Sequence, residues 1–189
     1  TWNVVGFIGV VAMSALHFGI GDAAFISEQD HARGFDRAPR WSQVLYALSA
    51  GALPVVIPLT NSQSTSALAA VNDDLVNWHG GWDRTLLNIV IAIAVIALCG
   101  LIFAHRRRDA LDLAILAALA LVTPPLVAFA AYFGLWHAMR HTARLTLNLK
   151  SSQRSIEENQ AGRAFRQAVI PGIPALVGTF IVSLLIGVN

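Results

Sequence analysis

The fold is decided by residues 85–105, TLLNIVIAIAVIALCGLIFAH, which lie between Arg84 and Arg106 and contain no Asp, Glu, Lys or Arg. A helix needs roughly 20 predominantly apolar residues to cross the hydrocarbon core of a bilayer. The stretch therefore predicts a transmembrane helix. Four other windows also lack these charged residues, at 2–21, 41–72, 113–139 and 167–189.

The composition supports the same class of protein. Of the 189 residues, 56% are hydrophobic and only 13% are charged, whereas a soluble domain has about 25% charged residues. This excludes a disordered chain and argues against an ordinary soluble enzyme. A net charge of +2 calls for no nucleic-acid partner, and the single Cys99 cannot form a disulfide within the chain.

The window around 113–139 is too long for one span and contains Pro124-Pro125. Proline removes a backbone donor and clashes with the preceding turn, so we predict one helix at about 110–123 and a second at about 125–147. The expected fold is all-α, a polytopic bundle of about six spans that forms one domain over 1–189. We also expect an exposed loop at 61–72, and a loop with a surface helix at 148–166.

Basic residues fall on one side of this arrangement. The loops 25–42, 105–110 and 148–167 receive the Lys and Arg residues, with Arg140 near their edge and Arg84 alone on the other side. Cytoplasmic loops carry the Lys/Arg excess, so these three loops are predicted to be cytoplasmic and the protein to lie in the cell membrane. Thr1 then lies outside, which suggests that an odd number of spans precedes it.

Three histidines lie inside predicted spans. The first and fifth predicted spans both run from outside to inside. By helical rise, His17 lies about 22 Å along its helix axis from Trp2, and His137 and His141 lie about 18 and 24 Å along theirs from Pro125. Residues four apart share a helix face, so three imidazoles from two helices are expected to converge. Imidazole is a common ligand of Fe(II), Cu and Zn.

Several neighbours complete this candidate site. Asp22 could accept a proton from the second nitrogen of a ligand, or could pair with Arg140. Gly19, Gly21 and Gly134 serve either close helix packing or a bulky ligand. Aromatic candidates for substrate contact, which could equally face lipid or the core, are Phe18, Tyr132, Phe133 and Trp136. Two other interpretations remain open: polar side chains that only join helices, as in a transporter-like protein, and a bis-histidine haem electron carrier.

Two segments carry distinctive motifs, HFGIGD at 17–22 and YFGLWHAMRH at 132–141. They resemble the two later motifs of the Brp/Blh family of membrane β-carotene 15,15′-dioxygenases. The resemblance implies a non-haem Fe²⁺ centre with four histidine ligands, which cleaves the central double bond of β-carotene with O₂ to give two retinal molecules.

By motif, His17, His137 and His141 are three of the four ligands. An earlier Pro-His-Gly-type motif of the family has no match in this sequence. We therefore expect residues 1–189 to be the C-terminal two-thirds of such an enzyme, with a missing N-terminal segment that carries the fourth histidine.

Overall fold

The computed structural model describes residues 2–174, 177, 178 and 181. Every regular element in this part of the chain is a helix or a helical turn, which agrees with the predicted all-α class. The chain divides into two compact units, Thr1–His137 and Ala138–Asn189. Each unit is described by itself.

Six α-helices form the first unit. They are α1 (Trp2–Ala32), α2 (Arg40–Thr60), α3 (Thr65–Val71), α4 (Asp83–Phe103), α5 (Arg107–Val122) and α6 (Pro125–Ala131). Among the described residues, α1, α2 and α4 are long and apolar enough to cross a membrane. The protein is thus a helical membrane protein with three candidate spans, and the six predicted spans are not confirmed. The predicted span at 167–189 lies mostly outside the described residues.

The double proline separates two helices, as predicted. Helix α5 ends at Val122, and Thr123 has an extended backbone with ψ 156°. Pro125 then occupies the first turn of α6, where a missing N–H costs nothing. At 16 residues, α5 is only about 24 Å long.

Two loop predictions are wrong. Helix α1 continues to Ala32, so residues 25–32, including His31, are helical and the predicted loop 25–42 contains only a short connection. Asp22 does not end the helix, because its carboxylate lies inside the protein and is hydrogen-bonded there. The predicted loop 61–72 contains α3, which forms because Leu68 can be buried on its inner face.

Helices α1 and α2 touch backbone to backbone at two glycines. A Cβ atom on Gly19 would lie 1.9 Å from the Ala47 carbonyl oxygen, and one on Gly51 would lie 1.8 Å from that of Ala15. Residue 19 faces 47 and residue 15 faces 51, so the helices are antiparallel. The close-packing interpretation of Gly19 is therefore confirmed, and this crossing fixes the face that α1 turns to α2.

Helix α2 lies at the centre of the first unit and packs against α1, α4, α5 and α6. It contains Pro54 and Pro58, and its last carbonyl groups are hydrogen-bonded by side chains. Ser64 Oγ donates to the Pro58 oxygen at 2.6 Å, and Trp78 Nε1 donates to the Leu59 oxygen at 3.1 Å. The last carbonyl groups of a helix have no donor within the helix, so these side chains satisfy the end of α2.

The second unit contains α7 (Ala138–Asn148), α8 (Lys150–Glu157) and α9 (Ala161–Val169), which pack against one another. Ser155 Oγ on α8 donates to Gln167 Oε1 on α9 at 3.0 Å. The polar segment 148–166 thus forms two short helices, where the sequence predicted a loop with one surface helix.

Candidate metal centre

Asp22 of α1 lies at the centre of a buried polar network. Its side chain is fully buried. Tyr132 Oη donates to Oδ2 at 3.0 Å, and His137 Nδ1 lies 3.3 Å from Oδ1. A carboxylate is removed from water only where such partners replace its hydration. Both carboxylate oxygens of Asp22 are thus engaged by side chains that follow it by more than a hundred residues.

A π-helical segment brings these two partners together. Residues Tyr132–His137 form a π-helix between α6 and α7. A π-helix closes i→i+5 hydrogen bonds, so residues five apart point in more similar directions than they do in an α-helix. In an α-helix, Tyr132 and His137 would point about 140° apart. The π segment therefore directs both side chains at Asp22, and segments of this kind are frequent at functional sites.

His17 lies beside His137, with 5.8 Å between the two ring centroids. Its side chain is exposed, whereas that of His137 is only 6% exposed. The difference follows from the α1–α2 crossing, because His17 is about 200° around the helix from Gly19 and so turns away from α2.

Gly21 leaves room for the imidazole of His137. A Cβ atom at this position would lie 3.2 Å from His137 Cε1, closer than an ordinary contact. Gly134, in contrast, has no atom within 4 Å of a Cβ placed on it. Of the glycines that flank the predicted ligands, Gly21 is therefore the one that shapes the space around the ring.

Two of the predicted ligands suit a shared metal ion. Metal–nitrogen bonds of about 2.1 Å would place two imidazole centroids about 5 Å apart, and the His17–His137 pair needs less than about an ångström of adjustment to reach this distance. Asp22 on Nδ1 of His137 is the partner that a ligating histidine usually has. Within the described residues, however, no three or more His, Cys, Asp or Glu side chains group as a metal site.

Arg140 and His141 belong to the second unit and lie on α7. Arg140 is partly exposed and His141 is exposed. The convergence of His141 with His17 and His137, and the pairing of Arg140 with Asp22, stay predictions.

Aromatic rings surround His137. Its ring centroid lies 4.6 Å from that of Phe18 and 6.3 Å from that of Phe133. Phe133 in turn stacks on Phe129 at 6.0 Å. Trp136 packs instead against the main core of the first unit.

An apolar cleft begins at this aromatic group. Its volume is about 300 Å³, and Phe18 and Phe129 are among its lining residues. The lining extends along α1 from Phe7 to Phe18, about 16 Å by helical rise. Its length and apolar lining suit a chain-like hydrocarbon better than a compact polar molecule.

The sequence did not predict the role of Tyr132. The sequence makes this residue a candidate for substrate contact, but the structure places it fully buried with its hydroxyl on Asp22. The available signal was the five-residue spacing between Tyr132 and His137 on the segment that follows Pro124-Pro125. In an α-helix, residues five apart point in different directions, so this spacing does not predict a shared partner.

These features define an all-helical membrane protein with a buried His–Asp–Tyr network beside an apolar cleft. Comparison with known proteins gives the family. The chain belongs to the β-carotene 15,15′-dioxygenase family, whose model matches residues 2–188.

One curated relative is the probable β-carotene 15,15′-dioxygenase Blh of Halobacterium salinarum. The chain is 30% identical to it over 151 residues, which are 71% of this chain and 42% of that protein. The chain thus spans less than half of the length of this relative. No solved structure matches the chain.

Proposed function

We propose that the protein uses O₂ to cleave the central 15,15′ double bond of β-carotene, giving two molecules of retinal. Breaking the C=C bond and placing one oxygen atom on each new carbonyl carbon balances the reaction. The observation that carries the proposal is the contact of the Asp22-bound His137 with Phe18, which lines an apolar cleft, in a chain that belongs to this family.

We further propose that Fe²⁺ is the cofactor and that His17, His137 and His141 hold it. When bound, such an ion would supply the site at which O₂ is activated. Imidazole nitrogens are suitable donors for Fe(II). The 5.8 Å separation of the first two rings supports their part in the set.

Asp22 positions His137 in this proposal. When Nδ1 carries the proton and donates it to Oδ1, the lone pair of the ring resides on Nε2. Tyr132 holds the other carboxylate oxygen and so prevents Asp22 from rotating. The two residues act through His137 and not on the substrate.

Phe18 and the cleft would receive the polyene. β-Carotene is a hydrocarbon and dissolves in bilayers, so lateral entry from lipid into an apolar channel is expected. Phe18 lines the cleft, and its ring lies against the imidazole of His137 at 4.6 Å between centroids. Alignment of the central bond beside the metal would then depend on how far the hydrocarbon enters the cleft.

The full-length protein should produce retinal in cells that make β-carotene, and the purified protein should contain about one iron. His137→Ala should abolish the product and lower the iron content, because it removes a ligand. His79→Ala is the matched control, since His79 lies in the loop before α4, where Nδ1 accepts a hydrogen bond from the Gly81 amide at 3.3 Å.

Retinal formation by His137→Ala would remove this residue from the ligands. A haem absorption band in the purified protein would contradict the iron oxygenase and support the electron carrier. Equal loss of product in both variants would show that the assay reports folding and not the site.

A further inference from the structure

A basic pocket lies at the end of the first unit that is opposite the apolar cleft along α1. Its volume is about 360 Å³, and its lining includes Asp30, Arg33, His105, Arg106, Arg107 and Arg108. It contains none of the residues assigned above to the oxygenase site.

A tight turn builds one wall of this pocket. Helix α4 ends at Phe103, and His105 adopts a left-handed backbone with φ 57°. The Arg106 amide donates back to the Leu101 carbonyl at 2.8 Å. This reversal places three consecutive arginines at the end of a candidate span.

Arg106 stabilises that wall of the pocket through two ion pairs. Its guanidinium donates to Asp30 of α1, and its Nε donates to Asp109 at 2.7 Å. The side chain is only 15% exposed. The two carboxylates are therefore committed to Arg106, and they join the end of α1 to the start of α5.

The other three arginines face outward. Arg33, Arg107 and Arg108 are exposed, and they form no ion pair within the part of the chain that the structure describes. Four arginines against two aspartates leave the pocket with an excess of two positive charges, with His105 neutral. Guanidinium groups bind phosphate through paired N–H donors.

Exposed apolar side chains border the arginines. Phe35 lines the pocket and is 54% exposed. Ile102 and Phe103, at the end of α4, are 60% and 83% exposed. A free phosphate ion gains nothing from such a border, whereas a phospholipid places acyl chains against apolar groups directly below its phosphate.

We propose that this pocket binds the phosphate headgroup of an anionic phospholipid at the membrane surface. Arg33, Arg107 and Arg108 bind the phosphate, and Phe35, Ile102 and Phe103 contact the upper acyl chains. Basic pockets at the cytoplasmic ends of membrane helices have this type of ligand. The proposal does not depend on the oxygenase assignment, because it uses none of the same side chains.

The test is binding of a short-chain phosphatidylglycerol to the purified full-length protein in detergent, measured by native mass spectrometry. Arg107→Gln with Arg108→Gln should weaken binding by about 25-fold, at about fivefold for each arginine. Arg154→Gln with Arg163→Gln is the matched control, since it removes the same charge from exposed positions in the second unit.

Loss confined to the first pair, with weak binding of phosphatidylcholine, would support the site. Equal loss in both pairs would overturn it in favour of general surface charge, and displacement by millimolar inorganic phosphate would overturn the lipid as the occupant. If the first double variant does not fold, Arg33→Gln serves instead, with an expected loss of about fivefold. Unchanged binding in that variant would also contradict the proposal.

Discussion

Replacing Tyr132 by Phe tests whether the buried network positions His137. The change removes only the hydroxyl that donates to Asp22 at 3.0 Å, and the ring keeps its packing. A hydrogen bond to a charged group contributes about 1.5–3 kcal/mol, so the variant should unfold at a lower temperature. Asp22 is fully buried, and water cannot easily replace the lost donor.

The expected functional effect is larger than the loss of folded protein. Partners that orient a metal ligand contribute roughly 10–100-fold to metal affinity or activity. Tyr132→Phe should therefore lower retinal formation per folded protein about tenfold or more, together with the iron content. Purified full-length protein, a thermal melt, metal analysis and a retinal assay with β-carotene give the three quantities.

Tyr46→Phe is a matched control within the same bundle. Tyr46 is 2% exposed, and its hydroxyl donates to the carboxylate of Asp112. Its stability loss should resemble that of Tyr132→Phe, because the deleted bond is of the same type. Its retinal formation per folded protein should stay near that of the unmodified protein, since neither residue belongs to the Asp22 network.

Equal retinal formation by the two variants would refute the positioning role. Unchanged iron and product in Tyr132→Phe, with a lowered melting temperature, would leave the Asp22 network as a purely structural feature.

Two further predictions concern the fold. Gly19→Ala should sharply lower the yield of folded protein, because its Cβ would lie 1.9 Å from the Ala47 oxygen and overpacking of this kind costs about 1–3 kcal/mol or more. Gly134→Ala is the control and should keep the yield, since the space around the new methyl group is open. Similar losses of yield in the two variants would contradict the close α1–α2 crossing. The orientation can be tested with single cysteines in a variant that lacks the native cysteine. A membrane-impermeant maleimide added to intact cells should label Asn77→Cys but not Ser151→Cys, because the charge distribution places residue 151 on the cytoplasmic side. The reverse labelling pattern would overturn the predicted orientation.

Much of the first unit could be predicted from hydropathy and proline. The uncharged stretch after Arg84 is α4 almost to the residue, and Pro124-Pro125 separates two helices where the sequence placed the break. Both signals are local. An apolar run of sufficient length has few alternatives in a bilayer, and two adjacent prolines remove two consecutive backbone donors.

The charged end of α1 could not be predicted in the same way. Hydropathy ends the apolar window at Asp22, because a carboxylate counts against a span. The helix continues because Asp22 is bound by Tyr132 and His137, and a window of neighbouring residues contains no information about partners so far along the chain. Likewise, the exposure of His17 follows from the glycine crossing and not from its own segment.

The predicted metal site stays a prediction, and the structure shows only that two of its three histidines lie close together. Depth along two helices predicted that His17 and His137 would meet, and they do. The sequence did not predict that His137 and Tyr132 bind the same carboxylate. The i+4 rule assumes an α-helix, and the π-helical segment changes the helical period at this position.

The sequence separation inside the Asp22 network has a consequence for how the protein is made. Tyr132 and His137 follow Asp22 by 110 and 115 residues, and ribosomes add about 5–20 residues per second. During synthesis, α1 therefore exists for roughly 5–20 s before either side chain that binds its carboxylate has been translated. The stable packing of α1 in the bilayer is consequently a late step, which follows the synthesis of the helices that surround it.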